Sequence, residues 1–320
     1  MWRLYRYMNM MKHMARTVCV LWAVWCLAGG VAAQQKSTYV FAERDSALRL
    51  DVWRPAHPRP DSACVVALFG GGFVVGGRAD DYQCAVAKVL TERGFTVVSP
   101  DYRLGLKDSA MLKRYATLTG SRTLFQWCID IAAEDAAAAC AWVVAHAGEL
   151  GINPGRIVLT GSSAGAIAVL QMDYCRANAL PQASALPEGW MPAAVVPYAG
   201  ALMCKGKPMY RSAPAPTMLM HGKKDKVVAY KRFPKILRHA LYGADIVARQ
   251  MRKGGHDCWT VRFEGVGHEV ASWLPGSVDL FCAFVDQTLA GRHSSLDATM
   301  TDSELKPTKW TDMTVLDLYK

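Results

Sequence analysis

Hydrophobic and polar positions along the 320-residue chain change period several times, and each change marks an element. "STYVFAE" (37–43) and "LRLDVW" (48–53) alternate apolar and polar residues, as strands with one wet face do. "CVVALF" (64–69) is continuously apolar and runs straight into glycines, the pattern of a strand covered on both faces. The same look recurs in "FTVVSP" (95–100), "RIVLTG" (156–161), "AAVVPY" (193–198), "TMLMHG" (217–222) and "CWTVRFE" (258–264). Helical spacing separates them. Residues 80–93 place Cys84, Val86, Val89 and Leu90 on one face and stop at Gly94, and the alanine-rich run 124–147 stops at Gly148 and Gly151. Residues 163–177, 230–252 and 277–290 also read as helices. Two alternating strands followed by repeated strand–helix units predict an α/β fold: a mostly parallel central sheet of about eight strands with helices on both faces.

No internal repeat and no linker rich in Pro, Gly or Ser divides residues 34–293, which predicts one domain there. Two segments stand outside the alternation. Residues 105–123 are polar and basic and are expected at a pocket rim. The tail 294–320 is polar with a few apolar anchors, Trp310, Val315, Leu316 and Leu318, a pattern that fits a disordered end as well as a docked one.

The first 33 residues are a different material. Arg3, Arg6, Lys12 and Arg16 precede an apolar run, no acidic residue occurs before Glu43, and Val31 and Ala33 fit a small-x-small cleavage site. This predicts a secretory signal peptide removed near Gln34, hence a periplasmic or extracellular mature chain. A retained anchor is the alternative, but the run falls short of the about 20 residues that a membrane span needs. Four of the 37 basic residues lie in the leader, so 33 remain against 27 acidic ones, a net charge of +6 with no basic stripe. Nucleic acid is therefore not an expected partner. Of ten cysteines, two (Cys19, Cys26) lie in the leader; the other eight permit disulfides in an exported chain, yet several sit in apolar runs where buried thiols are expected. No C-x-x-C or His-Cys cluster suggests a metal site.

The candidate chemistry starts at "GSSAGA" (161–166). Gly161-x-Ser163-x-Gly165 follows strand "RIVL" and precedes a helix, the context that a nucleophile elbow requires. Ser163 holds the motif centre and Ser162 the variable place. A serine hydroxyl needs a base held in the right tautomer. Of eight histidines, His268 in "GVGHEV" lies in a glycine-flanked loop just past a strand and is expected to be that base. Asp225 in "HGKKDKVV" follows the preceding strand and is the expected acid, whereas Asp257, Glu264 and Glu269 lie too near His268 to come from a separate strand end. The order Ser, Asp, His is that of α/β-hydrolases. Acyl transfer also needs donors for the developing oxyanion: Gly71 and Gly72 of "FGGGFVVGG" (69–77) and the amide of Ala164 are the candidates. The glycine loop lacks the G-x-x-x-x-G-K-[ST] of a phosphate cradle.

"FGGGF", "SPDYRL", "GSSAGA", "HGKKDKVV" and "GVGHEV", in this order, resemble the α/β-hydrolase superfamily, in particular its carboxylesterase and hormone-sensitive-lipase-like branch with the exported bacterial acetyl and feruloyl esterases. The resemblance covers about residues 40–290. It implies Ser163 as nucleophile, His268 as base, Asp225 as orienter, Gly71, Gly72 and Ala164 as oxyanion hole, and no cofactor. Its implied substrate is a short-acyl or carbohydrate ester. It also implies that Asp101 and Arg103 brace the oxyanion loop. Phe69 stands where many relatives carry a histidine before the glycines, and no large apolar lid is apparent. A serine peptidase of the prolyl-oligopeptidase type and a non-catalytic binding protein on an esterase scaffold are the rival readings.

Overall fold

The six continuously apolar strands line up side by side, because each can be satisfied only by hydrogen bonds on both edges and by cover on both faces. A computed structural model describes residues 35–107, 118–233 and 239–319. The predicted leader, and residues 108–117 of the predicted pocket rim, lie outside them.

Nine strands form the main sheet: β1 (Gln35–Glu43), β2 (Ala47–Arg54), β3 (Cys64–Leu68), β4 (Thr96–Pro100), β5 (Ile157–Ser162), β6 (Ala194–Tyr198), β8 (Thr217–Gly222), β10 (Cys258–Phe263) and β11 (Ser295–Met300). Their order is β1-β2-β4-β3-β5-β6-β8-β10-β11. β1 and β2 pair antiparallel, as do β2 and β4; from β4 onward the ladder is parallel. The sequence pattern gives eight of these strands; the ninth comes from the polar tail. Helices α1 (Asp81–Glu92), α2 (Leu118–Ala145), α3 (Ala164–Ala177), α4 (Ala244–Lys253) and α5 (Val278–Leu289) accompany the sheet. Two buried clusters result: Val66, Leu159, Ile167, Ala168 and Cys140 belong to one, and Val65, Val158, Val196, Phe95 and Phe281 to the other. Adjacent residues of one strand, Val65 and Val66, thus feed opposite cores, which is why these strands read as unbroken apolar runs.

The helix expected over 230–252 is shorter. Its first part includes β9 (His239–Gly243), which pairs antiparallel with β7 (Ala201–Lys205) in a second, two-stranded sheet. The Gln171 side chain of α3 donates to the Met203 carbonyl (3.1 Å) and accepts the Met203 amide (3.0 Å), docking this small sheet on the helix. The break falls at Gly243, whose backbone is extended (φ −76°, ψ −179°) and so close to Tyr230 that a Cβ would lie 2.5 Å from the Tyr230 carbonyl oxygen. Strand pairing overrides the helical spacing here.

All eight cysteines past the leader are free thiols, six of them buried. Burial pushes the Cys128 and Cys140 thiols up to about 12. They act as small apolar residues of the core. Among the described residues no helix is long and apolar enough to cross a membrane.

Candidate active site

β3 lies between β4 and β5, so the chain leaves β3 to one side and returns to the other. At such a switch point the loops after the two strands diverge and leave a crevice at their C-terminal ends. The glycine loop leaves β3 there, and Ser163 leaves β5.

The turn at Ser163 is strained. Its φ of 50° and ψ of −111° lie in a region that L-residues rarely adopt, and it immediately precedes α3. The Ser163 amide donates to Tyr198 O on β6 (2.9 Å), and Ser163 O accepts from Ile167 (2.9 Å), so the turn is held from both sides. The small flanking residues are required by space. A Cβ on Gly161 would lie 2.5 Å from the Gly165 carbonyl carbon, and one on Gly165 would lie 2.6 Å from that of Leu68 at the end of β3. Helix α3 can therefore start against the sheet only if both are glycine.

Asp225 stands three residues past β8 and His268 five past β10, so all three side chains project from the C-terminal ends of parallel strands. His268 Nδ1 lies 2.7 Å from Asp225 Oδ2, and His268 Nε2 lies 2.8 Å from Ser163 Oγ. A carboxylate only accepts, so Nδ1 carries the proton and Nε2 of the neutral ring presents its lone pair to the Ser163 hydroxyl. Ser163, Asp225 and His268 are all buried. Burial alone would raise the Asp225 carboxyl, but the hydrogen bonds from His221 and His268 outweigh it and hold it down to about 2. Asp225 Oδ1 also accepts the amides of Val227 and Val228, both at 2.9 Å.

Three neighbours lie inside the quoted motifs but are given no role by the sequence. His221 Nε2 lies 2.9 Å from Val228 O and 3.4 Å from Asp225 Oδ2, so a second imidazole N–H faces the carboxylate. Gly70 is where the glycine loop meets the elbow, since a Cβ there would lie 2.9 Å from Ser162 Oγ and 3.4 Å from Ser163 Cβ. Gly71 (φ 121°) and Gly72 (φ 63°) follow in conformations that glycine favours, and the Gly71 carbonyl accepts the amides of Val74 (3.0 Å) and Val75 (3.1 Å). Ala164 is the first residue of α3, where amides have no partner within the helix. The third neighbour is Tyr102. Its hydroxyl donates to Phe69 O (2.9 Å) and its ring stacks on Phe69 at 4.4 Å.

The bracing expected of Asp101 and Arg103 holds for Asp101, which grips Arg78 directly after the glycine loop, whereas Arg103 turns to α2. The Arg103 guanidinium grips fully buried Asp135 on α2, with Nε–Oδ2 at 2.9 Å, and Asp101 binds Arg78 at 2.8 Å. The residue between them also braces the glycine loop, because side chains alternate in an extended segment.

The fold is the α/β-hydrolase fold, and it carries a Ser-His-Asp constellation with the hydrogen-bond geometry of a serine hydrolase. Residues 50–180 match the BD-FAE family model. Lipase 2 of Moraxella sp. (strain TA144) is 35% identical over 105 residues, 33% of this chain and 20% of that protein. Acetylcholinesterase of Danio rerio is 31% identical over 126 residues, 39% of this chain and 18% of that protein. The chain thus matches about a fifth of the length of these curated relatives. Native esterase 2 of Thermogutta terrifontis superposes with a TM-score of 0.55 at 21% identity, covering 81% of this chain and 93% of that one. The same enzyme phosphoramylated by tabun gives 0.55 at 20% identity, over 78% and 94%. At these identities the structures establish the shared fold.

Proposed function

We propose that the protein is an exported serine carboxylic-ester hydrolase acting on short-acyl or carbohydrate esters. The observation that carries this reading is the unbroken hydrogen-bonded chain from Asp225 through His268 to Ser163, set on a strained elbow at a helix N-terminus. Ser163 Oγ attacks the ester carbonyl while His268 Nε2 takes its proton. The oxyanion of the tetrahedral intermediate is met by amides of Ala164 and of Gly71 and Gly72. Collapse breaks the C–O bond to the alcohol, which leaves with the proton from His268. Water then gives a proton to His268 and attacks the acyl-enzyme, releasing the carboxylic acid and restoring Ser163. Asp225, held ionised at neutral pH, keeps Nδ1–H in place and balances the imidazolium.

The relatives support the ester class: a lipase, an acetylcholinesterase, and an esterase whose structures include propionate-bound and butyrate-bound forms. The basic, apolar, small-residue leader supports export. The test is a panel of p-nitrophenyl esters of rising acyl length, acetylated xylan, methyl ferulate and a peptide anilide, with Ser163→Ala as control. Hydrolysis of short-acyl or carbohydrate esters, abolished in the variant, is expected. Cleavage of the anilide alone, or activity unchanged by Ser163→Ala, refutes the reading.

A further inference from the structure

Both loops that carry His268 and Asp225 are tied to one stretch of the C-terminal tail. Glu269, buried and next to His268, accepts the Thr308 amide (2.7 Å), the Thr308 hydroxyl (2.9 Å) and the Thr311 hydroxyl (2.6 Å) on Oε1. Its Oε2 accepts the amide of Gly267, the residue before His268, at 2.8 Å. Gly267 lies so close to the tail that a Cβ would sit 2.9 Å from Thr311 Cα. On the other side, Lys226, next to Asp225, forms a parallel bridge with Thr314 and an ion pair with Asp312 (3.4 Å). Between these ties is Trp310, half-buried, its ring centroid 5.9 Å from that of His268 at a tilt of 49°.

The topology gives this ring a side. The glycine loop leaves β3, on one flank of the β5 serine, while His268 and the tail come from the β8–β10 flank. The acyl oxygen turns toward the amides of the first flank, and the alcohol turns toward the imidazole that protonates it. A large, immobilised aromatic face beside that imidazole is therefore placed to meet the alcohol half of the ester. Trp offers a flat apolar surface at low entropy cost and pairs well with another ring.

Resting on the ester-hydrolase reading above, we propose that residues 308–314 form the leaving-group wall of the active site, with Trp310 as the specificity-determining residue for alcohols that present a ring face and Glu269 as the clasp that holds the wall against His268. An aryl alcohol and a sugar ring share this chemistry.

The experiment measures kcat/KM of wild type, Trp310→Ala and Trp310→Phe on ethyl acetate, benzyl acetate and xylose tetraacetate, comparing each substrate with itself so that intrinsic reactivity cancels. Trp310→Ala is expected to lose about tenfold more on a ring-bearing ester than on ethyl acetate, and Trp310→Phe to restore most of the difference. Loss confined to benzyl acetate, to the sugar ester, or shared by both supports the wall and identifies which ring it takes. Equal loss on all three overturns the wall and leaves the hydrolase reading intact, whereas no hydrolysis by wild type overturns both. Should Trp310→Ala not fold, the Thr308→Ala, Thr311→Val double variant keeps the indole and loosens the clasp; it is expected to show the same ring-selective loss, and a uniform one overturns the proposal.

Discussion

Replacing Asp225 by Asn tests the proton chain where the structure fixes its direction. Oδ1 faces two backbone donors, the amides of Val227 and Val228, and Oδ2 faces His268 Nδ1 and His221 Nε2. An Asn carbonyl can replace only Oδ1, because the two backbone amides there can only donate, whereas an imidazole nitrogen can become an acceptor by changing tautomer. The NH2 is then directed at His268 Nδ1, which must become the acceptor, and the ring proton moves to Nε2, 2.8 Å from Ser163 Oγ. A protonated Nε2 cannot take the serine proton. A tautomer error of this kind costs about 10⁴ in kcat, or about 5 kcal/mol on the barrier. Folding should suffer less, by about 1.5–3 kcal/mol, since the backbone amides keep their acceptor and only the charge-assisted bonds are lost. Initial rates on p-nitrophenyl acetate, with melting temperature as the folding control, provide the assay. A folded Asn variant that keeps more than about a tenth of wild-type kcat would show that Asp225 does not orient His268.

Two further outcomes follow from the same geometry. Gly165→Ala puts a methyl against the end of β3, 2.6 Å from the Leu68 carbonyl carbon, and must push the start of α3 away; about 1–3 kcal/mol of stability and, for each ångström that Ser163 moves, about a hundredfold in kcat should be lost. Unchanged melting and unchanged turnover together would refute the close approach. In acid, Asp225 is held below its unfolded value of 3.8, at about 2, so its contribution of about 2 kcal/mol is complete above pH 4 and disappears as pH falls from about 4 to about 2. Glu269 adds in the same direction: burial opposes its ionisation, but the hydrogen bonds of Thr311, Thr308 and Gly267 prevail and lower its carboxyl. Near-ultraviolet circular dichroism against pH should therefore show Asp225→Asn with a shallower loss than wild type over that interval. Coincident profiles would exclude this source of acid lability.

The three residues picked from the sequence form one hydrogen-bonded chain through His268 for a reason that the sequence displays. Each follows a continuously apolar run, such runs become parallel strands, and parallel strands deliver their ends to one edge of the sheet. What did not show follows from the same physics. Side-chain period reports which faces are dry, and it is silent about backbone pairing. β11 is an edge strand with exposed or half-buried side chains, joined to β10 through its main chain, and so reads as polar tail. β7 and β9 pair with each other, β7 also with a glutamine side chain, and the helical spacing of 230–252 conceals β9. Tyr102 lay inside a recognised motif, but the choice among its neighbours depended on which way an extended segment turns its side chains.

The tail shows the limit most clearly. Glu269 looks like a misplaced competitor of Asp225 when position along the chain is the only guide, since an acid adjacent to a histidine cannot reach around to its Nδ1. Its real partners lie 39 and 42 residues further on, in threonines that are also what a solvated terminus would contain. Four hydrogen bonds converge on that one carboxylate, three of them from the tail, and none leaves a hydrophobic trace. A segment whose attachment is made of such bonds is invisible to periodicity however firmly it is held, and in this chain it is the segment that brings an indole beside His268.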